Sequence, residues 1–355
     1  MGLLNSYYKQ RFEKLKINAD DTVEIYSDYK IENDAIKFGV GIYDRSESAV
    51  LKLVGKDVLD FLNRISTNEV INLEPYHYLS TLFTNEKGKL IDRTALIRYE
   101  DEYFLIGSKF NDMMLLRWIE KYIITEDVKC ENCSNKYLIL DIIGPQAESY
   151  LTLICGKEVD ELDNNRLHQV IIDTKTAFLL KKKAHSGEII YWLLSKVENA
   201  EAMIEYLLNH KSVFDLEMIG EAAFDRYRVI NKVSKGGREI TDKYNPHEAN
   251  LINDVSFSKG CFIGQEVIAR LETYDKVQKD LKKFVINSNN IKLPADLVNT
   301  ENEVVCTITT LTDNIELNKF EGLGYFKKAL IDKNIEFELA QSDNTDQKFL
   351  VRLLD

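Results

Sequence analysis

The chain has 355 residues, of which 45% are hydrophobic and 29% charged, and its formal net charge is −12. That length accommodates two or three domains with cores of their own, since typical domains hold about 100–150 residues, and no run approaches the ~18 apolar residues of a membrane-spanning helix. The chain is acidic overall, and its basic residues are interspersed among acidic ones, which argues against a nucleic-acid partner bound through its phosphates. A local basic pocket that binds a small polyanion is still compatible with this composition.

The first 155 residues contain two segments with the same order of elements. In "AVLKLVGKDVLDFLNRIS" and "LILDIIGPQAESYLTLIC", apolar alternation predicts a strand, a glycine ends it, and apolar residues at helical spacing follow. Gly55 is the break in the first segment and Gly144 in the second. Pro145 stands where the first turn of a helix tolerates proline.

A second pair of segments repeats in the same way. "EYFLIGSKFNDMMLLRWIEKYI" and "EIIYWLLSKVENAEAMIEYLL" both predict a strand, a Ser-Lys pair and an amphipathic helix, and shorter β-like runs precede each of them. The two glycine breaks lie 89 residues apart and the two Ser-Lys pairs 87. We therefore predict two split βαβ modules of the order βαββαβ, at about 49–125 and 137–212.

After Lys211 the pattern changes. A helical segment, "SVFDLEMIGEAAFDRYRVINKV", leads to a loop-rich stretch from Arg238 to Ser258, and short β-like runs follow Val277. Their spacing predicts a small all-β domain over the last ~80 residues.

One hairpin carries a carboxylate. In "NEKGKLID", Lys87 and Gly88 predict the turn, and Asp92 follows on the returning strand. A lone carboxylate on a strand is usually solvated or paired with a neighbour such as Arg93.

The cysteines indicate a reducing compartment. Only Cys130 and Cys133 of the five are close in sequence, and the N-terminal "MGLLNSYYKQRFEKLK" has no apolar signal-peptide core. Structural zinc needs two ligands more than this pair provides, so we interpret both cysteines as surface-loop residues and expect no metal site. The expected location is the cytoplasm.

Cys261 stands in "KGCFIGQEVIAR", between a glycine and an aromatic residue. Lys259, Arg270 and the start of a predicted helix favour a thiolate, and the glycines allow a close approach of backbone to ligand, but an inert packed cysteine fits the same spacing. The sequence contains no hydrolase, Walker A or GxGxxG motif.

Several motifs together resemble a known family, the folate-binding superfamily of the glycine-cleavage T-protein, and within it the YgfZ-type branch. The likeness runs from about Gly39 onward, and Lys259 to Glu266 match the Lys-Gly-Cys-aromatic-x-Gly-Gln-Glu motif of that branch. The motifs are "GIYDRSESAVLKLVGKDVLDFLNRISTNEV", "TLFTNEKGKLIDRTAL", "NPHEANLINDVSFSKGCFIGQEVIARL" and "FEGLGYFKKAL".

The resemblance implies an α+β fold, a three-domain ring around a cleft that binds tetrahydrofolate. On that basis we expect a discontinuous folate-binding domain over 1–48 and 126–250, with a ferredoxin-like module inserted at 49–125. A junction with the cysteine motif would occupy 251–277, and a C-terminal β-barrel 278–355.

The resemblance also implies site residues. Asp92 falls on the aspartate that organises the reactive end of the folate, and Arg228 on an arginine that contacts it. The family's Gly-Glu-x-Gly-Tyr-Glu motif, whose last glutamate bonds the pterin, is here Gly187-Glu-Ile-Ile-Tyr-Trp192. Because an indole cannot accept a hydrogen bond, either another carboxylate replaces that glutamate, with Glu188 and Glu266 as candidates, or the folate sits differently.

The function that the resemblance implies first is that of a tetrahydrofolate-binding accessory protein for iron–sulfur proteins, including tRNA-modifying enzymes. Cys261 would be a redox or transfer thiol, since one cysteine cannot hold a cluster. The protein would be a monomer that meets its iron–sulfur partners transiently. The predicted catalytic residues are Cys261 and Asp92, and the predicted folate ligands are Asp92, Tyr191, Trp192, Arg228, Lys259, Gly260, Cys261, Gln265 and Glu266.

Two alternatives remain. The first is a T-protein-like aminomethyltransferase or other one-carbon transferase that uses Asp92, which the retained aspartate favours and Trp192 disfavours. The second is a protein of this fold with only a structural role.

Overall fold

The computed structural model describes residues 2–183, 187–274, 276–314, 316, 319–331, 335–342 and 344–354. The chain divides into two compact units. The first unit comprises Met1–Val58, Leu73–Leu79 and Ala95–Tyr227, and the second Leu59–Asn72, Ser80–Thr94 and Arg228–Asp355.

Helices and strands are interspersed along the chain. The helices are α1 Asn5–Arg11, α2 Tyr29–Phe38, α3 Val58–Ile65, α4 Asp112–Glu120, α5 Ala147–Cys155, α6 Ala200–Asn209, α7 Glu221–Asn231, α8 Gln265–Thr273 and α9 Lys328–Ile331. The strands up to residue 143 are β1 Lys16–Ile17, β2 Val23–Ile25, β3 Val40–Asp44, β4 Ser48–Val54, β5 Tyr78–Thr84, β6 Leu90–Tyr99, β7 Glu102–Lys109, β8 Lys129–Asn132 and β9 Tyr137–Ile143. Those that follow are β10 Leu167–Ile172, β11 Lys175–Lys183, β12 Ile189–Lys196, β13 Leu216–Ile219, β14 Lys279–Ile286, β15 Ala295–Val298, β16 Val304–Asn314, β17 Lys319–Lys327, β18 Glu336–Gln341 and β19 Asn344–Leu354.

The predicted internal repeat is present. β4-α3-β5-β6-β7-α4-β8 and β9-α5-β10-β11-β12-α6-β13 have the same order, and their sheets run β5-β6-β7-β4-β8 and β10-β11-β12-β9-β3-β13. Each repeat has three strands between its helices where the predicted order had two, because the β-like run before the last of them folds into a hairpin of two strands. In the second repeat β3 lies between β9 and β13.

The predicted glycine breaks have a steric cause. Gly55 has φ +135° and Gly144 φ +115°, a region that side chains with a Cβ rarely adopt. A Cβ on Gly144 would stand 2.5 Å from the Gly39 carbonyl oxygen, and one on Gly55 would overlap the Asp127 carbonyl. Each strand therefore ends where only glycine fits.

Side chains alternate between the two faces of the six-stranded sheet in the first unit. Each face packs into a cluster of buried residues. One face holds Leu138, Leu140 and Ile142 of β9, packed in one cluster with residues of α5 and α6. The other face holds Ile139, together with Leu180 and Trp192 of the neighbouring strands, in a second cluster.

The second unit contains the predicted β-domain. Its strands close into a barrel of order β14-β17-β16-β15-β18-β19, in which β14 also pairs with β19. Phe284, Ile308, Phe326 and Val351 are among the residues that fill it. A separate cluster contains Leu82, Leu90, Phe262, Ile268 and Tyr325, and so packs the cysteine motif into this unit.

The predicted fold class is confirmed, with a mixed α/β chain and a closed six-stranded barrel in its C-terminal region. The four-part domain division stays a prediction. Within the described ranges, every helix is too short or too polar to cross a bilayer.

Candidate functional site

The predicted site residues fall in both units. Tyr191 and Trp192 belong to the first unit. The second unit holds Asp92, Arg228, Lys259, Gly260, Cys261, Gln265 and Glu266.

Lys259 anchors the cysteine loop. Its ammonium group donates to the carbonyl oxygens of Asn63 at 2.6 Å, Ser66 at 2.7 Å and Asn68 at 2.7 Å, at and just beyond the C-terminal end of α3. The last carbonyls of a helix have no partner within it, so these bonds satisfy groups that are otherwise orphaned. Burial lowers the pKa of Lys259 to about 8. The three N–H donors of Lys259 are therefore used within the protein, and its expected folate contact stays a prediction.

Three further contacts fix the same loop. Thr84 donates its hydroxyl to the Ile263 carbonyl at 2.7 Å, and the Phe262 ring is buried. Gly264 has φ +83°, and a Cβ there would stand 2.6 Å from the Asn85 carbonyl oxygen of the β5–β6 turn. Cys261 is exposed within this pinned loop. The structure therefore presents the thiol to solvent on a backbone held from both sides.

The residues beside Cys261 differ in exposure. Gly260 is exposed, and no described atom lies within 4 Å of where its Cβ would be. Gln265 is half-buried and begins α8. The Glu266 side chain is 86% exposed and pairs with Arg270 at 3.1 Å on the same helix. Glu266 therefore lies on a solvated helix face, and its expected folate contact stays a prediction.

Asp92 is fully buried on β6, where a solvated carboxylate was the simplest expectation. One of its oxygens accepts the backbone N–H of Arg93 at 2.8 Å. The Arg93 side chain pairs instead with Asp254, Nε to Oδ2 at 2.7 Å. Residues 92 and 93 alternate across the strand, so the Arg93 guanidinium and the Asp92 carboxylate face opposite sides.

Arg228 takes part in a buried ion pair. Its side chain is 1% exposed and contacts Glu239, which is fully buried, at 3.0 Å. Glu239 also accepts the hydroxyls of Thr309 at 2.6 Å and Thr310 at 2.7 Å, while Arg228 donates to the Val233 carbonyl at 2.8 Å. These groups join α7 and the segment after it to β16 of the barrel, and the expected folate contact of Arg228 stays a prediction.

Tyr191 and Trp192 lie on opposite faces of β12, because side chains alternate along a strand. The Tyr191 hydroxyl donates to Glu148 of α5 at 2.7 Å, and its ring packs in the cluster beneath that helix. Tyr191 is therefore a core residue, and the folate contacts expected of Tyr191 and Trp192 stay predictions.

Trp192 lies in a cluster that sequence reasoning missed. Lys182 Nζ lies 3.5 Å from the centroid of its ring, and the Arg45 guanidinium carbon 4.5 Å. Trp192 stands directly opposite Asp141 in the β12–β9 register, and Asp141 Oδ2 pairs with Arg45 at 3.4 Å. Burial raises the pKa of Asp141, and the charges of Arg45 and Lys182 oppose that rise.

Asp141 was missed because it stands in the apolar run "LILDII", where the pattern predicts only a strand. A charged residue in such a run was the available signal, since aspartate is rarely buried without a partner or a role.

The remaining cysteines do not form a site. Cys133 is buried in the core of the first unit, and Cys130 lies on β8 with its pKa raised to about 12 by burial. The expectation of two surface-loop cysteines is therefore wrong. Across the parts of the chain that the structure describes, no three His, Cys, Asp or Glu residues are grouped so as to hold a metal ion.

Comparison with known proteins relates the chain to aminomethyltransferases. The curated aminomethyltransferase of Chloroherpeton thalassium is 27% identical over 310 residues, covering 86% of this chain and 84% of that protein. The aminomethyltransferase of Caldanaerobacter subterraneus subsp. tengcongensis is 25% identical over 312 residues, covering 88% and 79%.

A solved structure has the same fold. The crystal structure of glycine cleavage system aminomethyltransferase T from Bartonella henselae superposes with a TM-score of 0.83 at 19% identity, covering all of this chain and 96% of the other. The family model described as the GCVT N-terminal domain matches residues 6–259, well over half of the sequence. The chain therefore belongs to the GCVT, or T-protein, family.

Proposed function

We propose that this chain binds tetrahydrofolate and transfers a one-carbon unit to or from it, as an aminomethyltransferase does. Support comes from the family match over residues 6–259 and from two curated relatives that are both named aminomethyltransferase. Tetrahydrofolate would supply the nitrogen that accepts or releases the carbon.

The observation that carries this proposal is the Asp92 carboxylate. It is fully buried on the strand after the Gly88 turn, at the position that the resemblance assigns to the reactive end of the folate. A carboxylate in a low-dielectric interior stabilises positive charge on a nearby nitrogen more strongly than it would in water. We therefore assign Asp92 the role of stabilising the cationic nitrogen of the transfer step.

Asp92→Asn is expected to lower the rate of one-carbon transfer by about 100-fold or more, since it removes the charge and keeps the shape. The measurement is single-turnover transfer between tetrahydrofolate and an aminomethyl or methyl donor, with purified protein. Asp60→Asn, at an exposed position on α3, is the matched control and should keep the wild-type rate. Wild-type protein that transfers nothing, or an Asp92→Asn variant with the full rate, would contradict the proposal.

A second candidate is support of iron–sulfur proteins, which the exposed thiol favours. Cys261 is presented on a loop pinned by Lys259 and Thr84, an arrangement that suits a thiol meeting a partner protein. In a strain lacking this protein, Cys261→Ser is then expected to restore less iron–sulfur enzyme activity than wild type, with Cys155→Ser as the control. If Cys261→Ser restores as much iron–sulfur enzyme activity as wild type and Cys155→Ser do, this thiol has no role in that function. Cytoplasmic location and a monomeric state stay expectations from the sequence.

A further inference from the structure

Three large apolar side chains lie exposed at the start of α4. Phe110 is 64% exposed, Met113 47% and Met114 51%, and together they form the apolar patch. Single exposed apolar residues are common on soluble proteins, whereas a contiguous group is typical of a surface that binds another molecule. The same helix is well packed on its inner side, where Leu115 and Ile119 are fully buried. The apolar patch is therefore not the result of a helix that fails to pack on its own sheet.

Phe110 has a backbone conformation that disfavours its side chain. Its φ is +62°, in the left-handed region where asparagine and glycine are enriched and bulky residues are outliers. Its ring lies in solvent, with Lys109 Nζ 4.6 Å from the ring centroid. Phenylalanine thus supplies neither a favourable turn residue nor a buried ring at this position. A residue that costs the fold in this way is evidence for a role outside the fold.

The outward side of α4 beyond the apolar patch is basic. Met113, Arg117 and Lys121 recur at a spacing of four residues, so they lie on one side of the helix. Arg117 and Lys121 are both exposed. Glu120, an exposed carboxylate, lies at the end of the helix away from the methionines. The patch is therefore followed by positive charge, on a chain whose net charge is −12.

This charge distinguishes between two kinds of occupant. A second copy of the chain would bring Arg117 and Lys121 against the same two cations, because a two-fold contact joins one surface to itself. A partner whose apolar side chains are bordered by carboxylates would meet no such repulsion. One amphipathic helix provides both features, with apolar anchors at positions i, i+3, i+4 and i+7. Methionine side chains adapt their shape to such anchors.

We propose that the apolar patch and the basic side of α4 dock an acidic amphipathic helix of another protein. The apolar side chains of the partner pack on Phe110 and the two methionines, and its carboxylates pair with Arg117 and Lys121. The inference is independent of the proposed folate function, because the predicted folate ligands all lie outside α4.

The experiment uses two synthetic peptides of about 18 residues, long enough for five helical turns. Both carry leucine at positions i, i+3, i+4 and i+7, and the flanking positions are glutamate in one peptide and lysine in the other. Fluorescence anisotropy of the labelled peptides measures their affinity for the full-length protein. The glutamate peptide is expected to bind at least about tenfold more tightly. Non-specific attraction to a chain of net charge −12 would favour the lysine peptide instead.

Charge reversal tests the basic side of the helix. Arg117→Glu/Lys121→Glu is expected to weaken binding of the glutamate peptide about tenfold or more, since two attractive contacts become repulsive. Lys9→Glu/Lys243→Glu makes the same change in net charge at two exposed positions outside α4. This matched control should bind the glutamate peptide within about twofold of wild type.

Phe110→Asn separates a docking role from a structural one. Asparagine tolerates the left-handed conformation, so the midpoint of thermal unfolding is expected to stay the same or rise. Affinity for the glutamate peptide should fall about five- to tenfold, because an aromatic anchor is lost. A lower midpoint than wild type would show that Phe110 serves the fold, and would overturn the inference.

Three further results would also overturn it. The first is equal affinity of folded wild-type protein for the two peptides, and the second is binding of neither up to about 1 mM. The third is a dimer in analytical ultracentrifugation that Phe110→Asn abolishes, since that would assign the apolar patch to a second copy of the chain.

Discussion

Arg228→Leu is expected to lower the free energy of unfolding of the second unit by about 3–5 kcal/mol, because it leaves the Glu239 carboxylate buried without its cation. Glu239 is fully buried, and the other donors to it, such as Thr309 and Thr310, are uncharged. The measurement is urea unfolding monitored by circular dichroism, fitted to more than two states where the two units unfold in separate transitions.

The double variant Arg228→Leu/Glu239→Leu is the control for this prediction. Replacing both partners of a buried ion pair with apolar groups is often close to neutral, so most of the lost stability should return. An Arg228→Leu protein of wild-type stability that loses only affinity for folate would show instead that Arg228 binds ligand.

Lys259→Met is expected to destabilise the second unit by about 2–4 kcal/mol, since three carbonyl oxygens at the end of α3 lose their donor while the side-chain volume is kept. The loop that carries Cys261 should then open more often. Hydrogen–deuterium exchange of residues 259–264 measures this directly, and their amides are expected to exchange faster than in wild type.

Lys243→Met, at an exposed position, is the matched control and should leave both the stability and the exchange unchanged. Unchanged exchange in Lys259→Met would mean that Thr84 and Phe262 are enough to hold the loop, and that the ammonium group is not its anchor.

The fold was largely predictable because its signals are local. Gly55 and Gly144 end strands at positive φ. The spacing of apolar residues changes from two residues before each glycine to about 3.6 residues after it. The predicted order βαββαβ counted one strand too few in each repeat, because the β-like run between the helices folds into a two-stranded hairpin.

The site was less predictable because its residues are defined by partners distant in sequence. Lys259 bonds the end of α3, almost 200 residues earlier, and nothing in "KGCFIG" reveals this. Arg228 and Glu239 are close in sequence, yet their burial beside β16 depends on the barrel. Asp141 stands in an apolar run, and only the strand register shows that it lies opposite Trp192 on the neighbouring strand.

The central claim is that this member of the T-protein family binds tetrahydrofolate. Anaerobic equilibrium dialysis of the wild-type protein with tetrahydrofolate tests it most directly. We predict saturable binding of one molecule per chain, which an excess of 6-methyltetrahydropterin displaces. Absence of saturable binding up to about 1 mM tetrahydrofolate, with a protein shown to be folded, would contradict the account.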